Sequence, residues 1–209
     1  MIDQRQGMDL GFTQDAVVDC HHLCLIYADE RQRRQIVAKF LAVGLAQGDL
    51  IRYFADTSTP AEIHAWLQES GIEYSEAEEK GTFGITQAES HYCPSGQFAP
   101  PQVLESMQSR YAMAKKAGYH GSRACSEMSW ALRGIPGSNR LLEYETKINM
   151  LTETFPYIGM CQYDARQFDG ITLFKVLQVH PYMIAQGQIV RNPYYIKPEE
   201  FLSNLGTNS

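Results

Sequence analysis

Two residues that can ligate metals or react as nucleophiles lie close together in an apolar run near the start of the chain. The run is His22-Leu23-Cys24-Leu25-Ile26-Tyr27, and its composition predicts a buried β-strand. Because side chains alternate between the two faces of a strand, His22 and Cys24 lie on the same face. Together with Cys161 and His180 from later segments, they could form a nitrogen and sulfur cluster that suits Zn²⁺ or a thiolate-based sensor.

A structural interpretation of the same residues stays open. Free cysteine is among the most buried residue types, so Cys24 and Cys161 also fit as small core residues, and His22 can satisfy a buried backbone carbonyl. Structural zinc usually has two close Cys/His pairs, whereas this chain has one dense group, between Cys20 and Cys24. The metal candidates are therefore His22, Cys24 and Cys161, with the core as the alternative.

The segment after this strand, Tyr27-Ala28-Asp29-Glu30-Arg31-Gln32, has the position of a phosphate-binding loop but not its residues. A phosphate loop needs successive free backbone N–H groups and a lysine for the β/γ-phosphates. The segment has no glycine and no Lys-Ser/Thr pair, and it carries two carboxylates where a polyphosphate would need positive potential. The sequence therefore predicts a nucleotide-binding scaffold whose pocket serves another purpose.

Two glutamates are candidates for polar contacts inside a pocket. Glu127 lies near the end of a predicted strand, where a buried carboxylate would need a partner such as His22 or Arg123 and would have a raised pKa. Glu145 lies on a predicted helix and points inward if Glu143 is solvated. A structural ion pair is the alternative interpretation. Glu143 and Glu145 lie too close together on one helix for their carboxylates to converge for acid–base catalysis.

Aromatic side chains flank the predicted carboxyl ends of the strands or the helix that faces them. An apolar pocket with a few polar groups is the usual site for a small organic molecule, although each aromatic residue alone also fits the core. His180, followed by Pro181 at the end of a helix, fits a helix cap as well as a ligand. The aromatic residues are Tyr27, Trp130, Tyr144, Tyr163 and Phe168.

Apolar runs alternate with segments of helical periodicity, which predicts an α/β fold with a mainly parallel sheet and helices on both faces. Predicted strands cover residues 22–27, 49–55, 82–86, 122–128, 157–163 and 183–190. Predicted helices cover residues 30–47, 59–70, 100–117, 140–154 and 171–179. We expect an N-terminal extension over residues 1–18, one domain over 19–203 and a C-terminal tail over 204–209, with residues 192–198 packed on the surface.

Composition excludes several classes of function. The formal charge is −6, from 18 Lys and Arg against 24 Asp and Glu, and no basic stripe exists to contact nucleic acid directly. The short basic run Arg31-Gln32-Arg33-Arg34 is interpreted as the solvated face of a helix. No apolar run approaches the roughly 20 residues that cross a bilayer, and the polar N-terminus does not resemble a signal peptide. Five widely spaced cysteines indicate free thiols in a reducing cytoplasm.

Taken in order, several segments resemble the MEDS domain, the methanogen/methylotroph sensory domain of the DcmR type. They are HLCLIY at 22–27, FLAVGLAQGD at 40–49, YCPSGQFAP at 92–100, SEMSWAL at 126–132, LLEYETKIN at 141–149, CQYDARQF at 161–168, VLQVHP at 176–181 and NPYYIKPEEFL at 192–202. The resemblance covers roughly residues 20–202. It implies a RecA/KaiC-like three-layer α/β/α domain that has lost its nucleotide-binding motifs, hence a degenerate P-loop fold.

The resemblance also implies a role. The resemblance implies a domain that senses small molecules such as hydrocarbon derivatives, beside DNA-binding or kinase modules, and we expect neither module to flank the domain here. We therefore expect a cytoplasmic, non-enzymatic sensor without a cofactor, with a small organic ligand, a protein partner in signalling and a possible homo-oligomer, but no nucleic acid or membrane. The alternative is a metal- or redox-responsive module or a Cys/His enzyme. The expected ligand-binding residues are His22, Cys24, Tyr27, Glu127, Trp130, Glu145, Cys161, Tyr163 and His180.

Overall fold

The strands predicted from the apolar runs form one seven-stranded sheet in the computed structural model, which describes residues 9–13, 21–152 and 157–207. The sheet order is β3-β2-β4-β5-β1-β6-β7, and every neighbouring pair is parallel except β6 and β7. The strands are β1 (His22–Tyr27), β2 (Leu50–Ala55), β3 (Phe83–Gln87), β4 (Ser122–Glu127), β5 (Tyr157–Asp164), β6 (Tyr182–Ala185) and β7 (Gln188–Arg191).

Helices cover both faces of this sheet, so the predicted three-layer α/β/α arrangement is confirmed. Two 3₁₀ turns, Ser129–Arg133 and Ser138–Arg140, follow β4. The helices are α1 (Glu30–Gln47), α2 (Pro60–Glu69), α3 (Ser75–Glu79), α4 (Ala88–Tyr92), α5 (Pro100–Lys116), α6 (Leu141–Thr152), α7 (Gly170–Val179) and α8 (Pro198–Thr207).

One face of the sheet packs on α1 and α2. Asp29 caps the N-terminus of α1 by accepting hydrogen bonds from the backbone N–H groups of Arg31 and Gln32, and Gly48 ends the helix in the left-handed region, at φ 73°. Phe40 and Leu41 of α1 are buried against apolar side chains of β1, β2 and β5. The helix occupies the predicted bounds because both termini carry residues that stop a helix.

The opposite face packs on α5, α6 and α7. Val103, Met107, Ile148 and Val176 from these helices form one apolar layer with Cys24 and other side chains of β1, β2, β4 and β5. Central parallel strands are covered on both faces, which explains why β4 is buried at all six positions despite its sequence Ser-Arg-Ala-Cys-Ser-Glu. Its polar side chains must therefore find partners inside the fold.

The predicted last strand, residues 183–190, is wrong in one respect. It is a hairpin of β6 and β7, joined at Gln186 and Gly187, which have φ of 52° and 74°. Two successive positive φ values match the turn that fits the twist of a two-residue hairpin. The sequence does not predict this turn, because Gln is uncommon at a position with positive φ.

The segment after the hairpin also differs from the prediction. It ends in helix α8, which packs on α6 and α7 and buries Phe201 at 6% exposure. Asn192 is buried rather than on the surface, because its side-chain amide donates hydrogen bonds to the carbonyls of Leu177 and His180.

The predicted N-terminal extension, residues 1–18, lies outside the described residues except for 9–13, as does the predicted helix end at Thr154. Within the described part, Leu10 is fully buried, and Arg123 Nη2 donates to the Asp9 carbonyl at 3.1 Å. Among the described residues, no helix combines the length and apolar character that a bilayer span requires.

Candidate functional site

Glu127 at the end of β4 lies at the centre of a buried polar cluster at the carboxyl edge of the sheet. Its Oε2 accepts hydrogen bonds from three successive backbone N–H groups, of Asp56, Thr57 and Ser58, at 2.8, 2.6 and 3.0 Å. Its Oε1 accepts from the Tyr53 hydroxyl at 2.8 Å. Successive N–H groups of this kind form an anion-binding concavity, and here a carboxylate of the chain itself occupies it.

Arg33 supplies the countercharge. It lies in the first turns of α1, is 2% exposed, and forms a salt bridge with Glu127 through Nη2. Its Nε donates to Gln162 Oε1 at 2.7 Å, and its guanidinium lies 4.8 Å from the centre of the Tyr27 ring. We call Arg33, Tyr53, Glu127 and Gln162 the carboxyl-edge cluster.

The environment of Glu127 keeps its carboxylate charged. Burial alone would raise the pKa, but the Arg33 guanidinium, the Ser58 hydroxyl and the loop N–H groups outweigh burial and lower the pKa to about 2. The expectation of a raised pKa is therefore wrong. The proposed partners are wrong as well, because His22 contacts Glu145, and Arg123 forms a salt bridge with Asp49 at 2.5 Å.

A second polar cluster lies inside the layer formed by the sheet and helices α6 and α7. Four donor atoms converge there and lie within 4.8 Å of one another: His22 Nε2, Glu145 Oε2, Cys161 Sγ and His180 Nε2. All four residues are buried. We call them the four-donor cluster, and Tyr163 adds a hydrogen bond from its hydroxyl to Glu145 Oε1 at 2.8 Å.

Four different elements supply these residues. Parallel pairing places His22 of β1 opposite Gly159 of β5, two positions before Cys161, and the absence of a side chain at Gly159 leaves room for the Tyr157 ring, which lies 3.1 Å from the ideal Cβ position. Glu145 comes from α6, and His180 directly follows α7. As predicted, Glu145 points inward while Glu143 is partly exposed and binds Arg140.

The outward nitrogens of both histidines are held by hydrogen bonds. His22 Nδ1 lies 2.9 Å from Asn149 Oδ1, and Asn149 Nδ2 donates to the Val179 carbonyl at 2.8 Å, so the amide oxygen is the atom turned toward the ring. His180 Nδ1 lies 2.8 Å from the Val176 carbonyl. Each Nδ1 therefore carries a hydrogen, and each Nε2 points into the cluster.

The atoms that face the interior of the four-donor cluster do not all have hydrogen-bond partners. His22 Nε2 lies 3.0 Å from Glu145 Oε2 and 3.4 Å from Cys161 Sγ. His180 Nε2 is 3.6 Å from Glu145 Oε2 and has no hydrogen-bond partner among the residues that the structure describes. Burial would raise the pKa of Glu145, but its hydrogen bond with His22 and the two imidazoles lower it overall. Burial and the Glu145 charge raise the pKa of the Cys161 thiol well above its usual range.

A cavity of about 260 Å³ opens beside β1 and β6. Its walls are mainly apolar side chains from β1, β6, α1 and α7, with two glutamines at the rim. The lining residues are Leu25, Ile26, Gln32, Ile36, Leu177, Met183, Ile184, Ala185 and Gln186.

Comparison with a family of sensory domains decides the affiliation of the chain. The family described as MEDS, the MEthanogen/methylotroph, DcmR Sensory domain, matches residues 21–181. The chain belongs to the MEDS family. The match includes all four residues of the four-donor cluster and all four of the carboxyl-edge cluster.

The MEDS chain is also similar to a curated protein, the transcriptional repressor DcmR of Methylorubrum extorquens (strain DSM 6343 / CIP 106787 / DM4). The two are 26% identical over 180 residues, which cover 85% of this chain and 62% of the repressor. The chain thus spans less than two thirds of the length of that relative. A sensory and regulatory role is consistent with both matches.

Solved structures support the KaiC-like fold. A KaiC-like protein, PH0186 from Pyrococcus horikoshii OT3, superposes with a TM-score of 0.53 at 15% identity, covering 78% of this chain and 69% of that one. PH0321 from Pyrococcus horikoshii, solved with an unknown peptide, superposes with a TM-score of 0.59 at 14% identity, covering 81% and 80%. At such identities the similarity shows the fold alone, and it confirms the predicted RecA/KaiC-like architecture.

The predicted ligand-binding residues of the MEDS chain do not form a single pocket. The structure separates them into three places. His22, Glu145, Cys161, Tyr163 and His180 meet in or beside the four-donor cluster, and Cys24 lies next to it, opposite Cys161 in the sheet register. Tyr27 and Glu127 belong to the carboxyl edge, on the other side of the sheet.

Trp130 lies in the third place, an aromatic cluster under α5 and α6. It stacks on Tyr92 with ring centroids 4.7 Å apart and lies 4.8 Å from Phe98, and Tyr144 contacts both of these neighbours. Trp130 is fully buried.

Several residues on which the clusters depend are not indicated by the sequence pattern, among them Arg33, Tyr53 and Asn149. Arg33 was assigned to a solvated helix face, yet it is buried, because Glu127 and Gln162 lie where its side chain turns inward. Asn149 was not singled out, although it fixes the orientation of His22. Its i+4 spacing from Glu145 on a predicted helix is the signal that could have indicated a shared face.

Proposed function

We propose that this MEDS chain is a non-enzymatic sensory domain that binds a small, weakly polar organic molecule on a scaffold whose nucleotide site is filled by its own side chains. The observation that carries the proposal is the carboxyl-edge cluster. In open parallel sheets this edge is where ligands usually bind, and here Glu127 occupies the concavity of N–H groups that an anion would need.

The start of α1 supports the same interpretation. A helix N-terminus that follows a β-strand is a ready anion site, because its first N–H groups lack partners within the helix. In this chain the Asp29 carboxylate accepts from two of those groups, at 2.8 and 3.2 Å. A nucleotide phosphate would have to displace a carboxylate at this position and would meet no lysine there.

The cavity beside β1 and β6 fits the proposed class of ligand. Its walls are mainly apolar, and a volume of about 260 Å³ suits a molecule of up to roughly ten heavy atoms, since a cavity of about 150 Å³ holds benzene. Gln32 and Gln186 at the rim can each donate or accept one hydrogen bond, which suits an alcohol, aldehyde or halogenated compound better than a charged one. Leu25 and Ile26 of the cavity lie on β1, the strand that also carries His22 of the four-donor cluster.

A thiol-based enzyme is less well supported. A catalytic cysteine needs an accessible thiolate, and such thiols have lowered pKa values. Cys24 and Cys161 are buried, and burial raises the pKa of both thiols. The output of the sensor is proposed to be contact with a protein partner.

The test is a thermal-shift screen of short-chain alcohols, aldehydes and haloalkanes against the purified chain, followed by calorimetry of the hits. A ligand that binds only the native state stabilises it by RT ln(1 + [L]/Kd), so the melting temperature rises with the logarithm of the ligand concentration above Kd. We expect a hit among these compounds and no shift with MgATP.

The matched variants are Ala185→Leu, which fills the cavity, and Ala112→Leu, which adds the same atoms on the exposed face of α5. Only Ala185→Leu should abolish the ligand-dependent shift. Tight binding of MgATP by the wild type, or an unchanged response in Ala185→Leu, would contradict the proposal.

A further inference from the structure

We propose that His22, Glu145, Cys161 and His180 bind one divalent transition-metal ion, of the zinc class, between β1, β5, α6 and α7. This metal site is distinct from the apolar cavity. It can therefore be tested independently of the small-molecule ligand.

The distances between the donor atoms fit a tetrahedral site. Bonds of about 2.0 to 2.3 Å from Zn²⁺ to nitrogen, oxygen and sulfur imply donors about 3.2 to 3.8 Å apart around a tetrahedron. Glu145 Oε2 lies 3.0 Å from His22 Nε2, 3.5 Å from Cys161 Sγ and 3.6 Å from His180 Nε2, and His22 Nε2 lies 3.4 Å from Cys161 Sγ. The two remaining pairs, of His180 Nε2 with His22 Nε2 and with Cys161 Sγ, lie within 4.8 Å. Side-chain movements of up to about 1 Å would therefore bring all four donors to the distances of a tetrahedral site.

The hydrogen bonds around the cluster are those of ligating histidines. A metal-bound imidazole almost always donates its other N–H to a carbonyl, amide or carboxylate oxygen, which fixes the ring. His22 Nδ1 has Asn149 Oδ1 at 2.9 Å, and His180 Nδ1 has the Val176 carbonyl at 2.8 Å. Both rings are thus fixed with Nε2 directed at the same point.

An ion pair of His22 with Glu145 explains only part of this arrangement. It accounts for their 3.0 Å contact but leaves His180 Nε2, a fully buried nitrogen, without a hydrogen-bond partner among the described residues. An unpartnered buried polar atom destabilises the folded state, because it has lost its hydrogen bonds to water without a replacement. A metal ion would accept the lone pair of this nitrogen as well as those of the other three donors.

The donor set selects the ion. Two imidazoles, a thiolate and a carboxylate suit borderline-soft ions such as Zn²⁺, whereas Mg²⁺ and Ca²⁺ require oxygen ligands. Two neutral imidazoles, Cys161 as thiolate and Glu145 as carboxylate balance the two positive charges, so the buried site would be neutral overall. The Cys161 thiol proton leaves to solvent when the ion binds.

The experiment is metal analysis of the full chain, purified without an affinity tag, before and after removal of metal with a chelator and titration with Zn²⁺ alone. We expect one zinc per chain, a higher melting temperature in the loaded protein, and, with Co²⁺ as the probe, intense visible bands of a tetrahedral site together with a thiolate-to-cobalt charge-transfer band. A chain that carries no zinc and gains no Co²⁺ spectrum on titration would overturn the proposal.

Variants separate the four donors from their neighbours. Cys161→Ser should remove the thiolate-to-cobalt band, His180→Ala should weaken metal binding, and Asn149→Ala should lower metal affinity by roughly 10–100-fold, as expected for an outer partner. Cys24→Ala is the matched control, since Cys24 is a buried thiol opposite Cys161 in register but outside the donor set. Loss of the charge-transfer band in Cys24→Ala, with the band retained in Cys161→Ser, would contradict the assignment.

Discussion

At the scale of single residues, the chain places charged side chains inside the fold only where each has several partners. Arg33 and Glu127 are 2% and 1% exposed, and their contacts include three backbone N–H groups, a tyrosine hydroxyl and a glutamine amide. A buried ion pair recovers its desolvation cost only with such geometry, and removal of one member leaves an uncompensated buried charge.

We therefore expect Glu127→Gln to lower the free energy of unfolding by about 3–5 kcal/mol, since it leaves the buried Arg33 guanidinium with the partly exposed Glu30 carboxylate, 3.1 Å from Nη1, as its remaining charged partner among the described residues. Urea denaturation of wild type and variant measures the difference. The double variant Arg33→Met/Glu127→Gln should lose less than the sum of the single variants, because the two residues act as one unit. Lys80→Ala, which breaks an exposed pair with Glu76, is the control and should leave the midpoint unchanged.

The same pair predicts a pH dependence. The pKa of Glu127 is lowered from its ordinary value of 4.5 to about 2 in the folded chain, so its contribution to stability is present above the unfolded pKa and is lost as the pH falls toward the folded one. The difference in urea midpoint between wild type and Glu127→Gln should therefore shrink between about pH 5 and about pH 2. A difference that stays constant over this range would show that Glu127 acts without its charge.

At the scale of elements, the junction between β1 and α1 is set by a helix cap and not by a phosphate loop. Asp29 has extended backbone geometry, with φ −106° and ψ 112°, and its carboxylate accepts from the first free N–H groups of α1. The cap positions the helix so that Arg33, one turn later, reaches the carboxyl-edge cluster.

Removal of this cap should be measurable. We expect Asp29→Ala to lower the free energy of unfolding by about 1 kcal/mol, with a corresponding fall in melting temperature, because two helix N–H groups lose their acceptor. Asp29→Asn retains an acceptor oxygen and is the matched control, with a smaller effect. Equal losses in the two variants would mean that the charge of Asp29, and not its cap, stabilises the helix.

At the scale of the whole molecule, the strand order brings the two strands that carry His22 and Cys161 together near the centre of the sheet. β1 and β5 are neighbours near the middle of the seven strands, although His22 of β1 and Cys161 of β5 lie 139 residues apart in sequence. Both strands are covered on two faces, whereas β7 pairs with β6 alone among the described strands and is largely exposed.

This difference predicts a gradient of local stability across the sheet. The backbone amides of β1 and β5 should exchange slowest with solvent deuterium and those of β7 fastest among the strands, because opening β7 exposes little apolar surface. Hydrogen–deuterium exchange measured by mass spectrometry tests the order. Protection of β7 as strong as that of β1 would point to an additional partner on that edge.

The sequence by itself determined the layers of the fold and the absence of a phosphate loop. Local signals suffice for both: alternating apolar runs and helical periods give a covered parallel sheet, and the junction residues 27–32 lack glycine and lysine regardless of how the chain folds. The order of the segments that resemble the MEDS domain also indicated the family, which the match over residues 21–181 confirms.

Only the tertiary structure decided how the polar residues combine. Glu127 pairs with Arg33 and not with His22 or Arg123, and the four-donor cluster collects single residues from four elements without a short-spaced pair that a sequence pattern could reveal. The hairpin at Gln186 likewise depends on backbone dihedrals. The physical reason is that strand order and helix packing set side-chain convergence, and both are long-range properties that local composition does not encode.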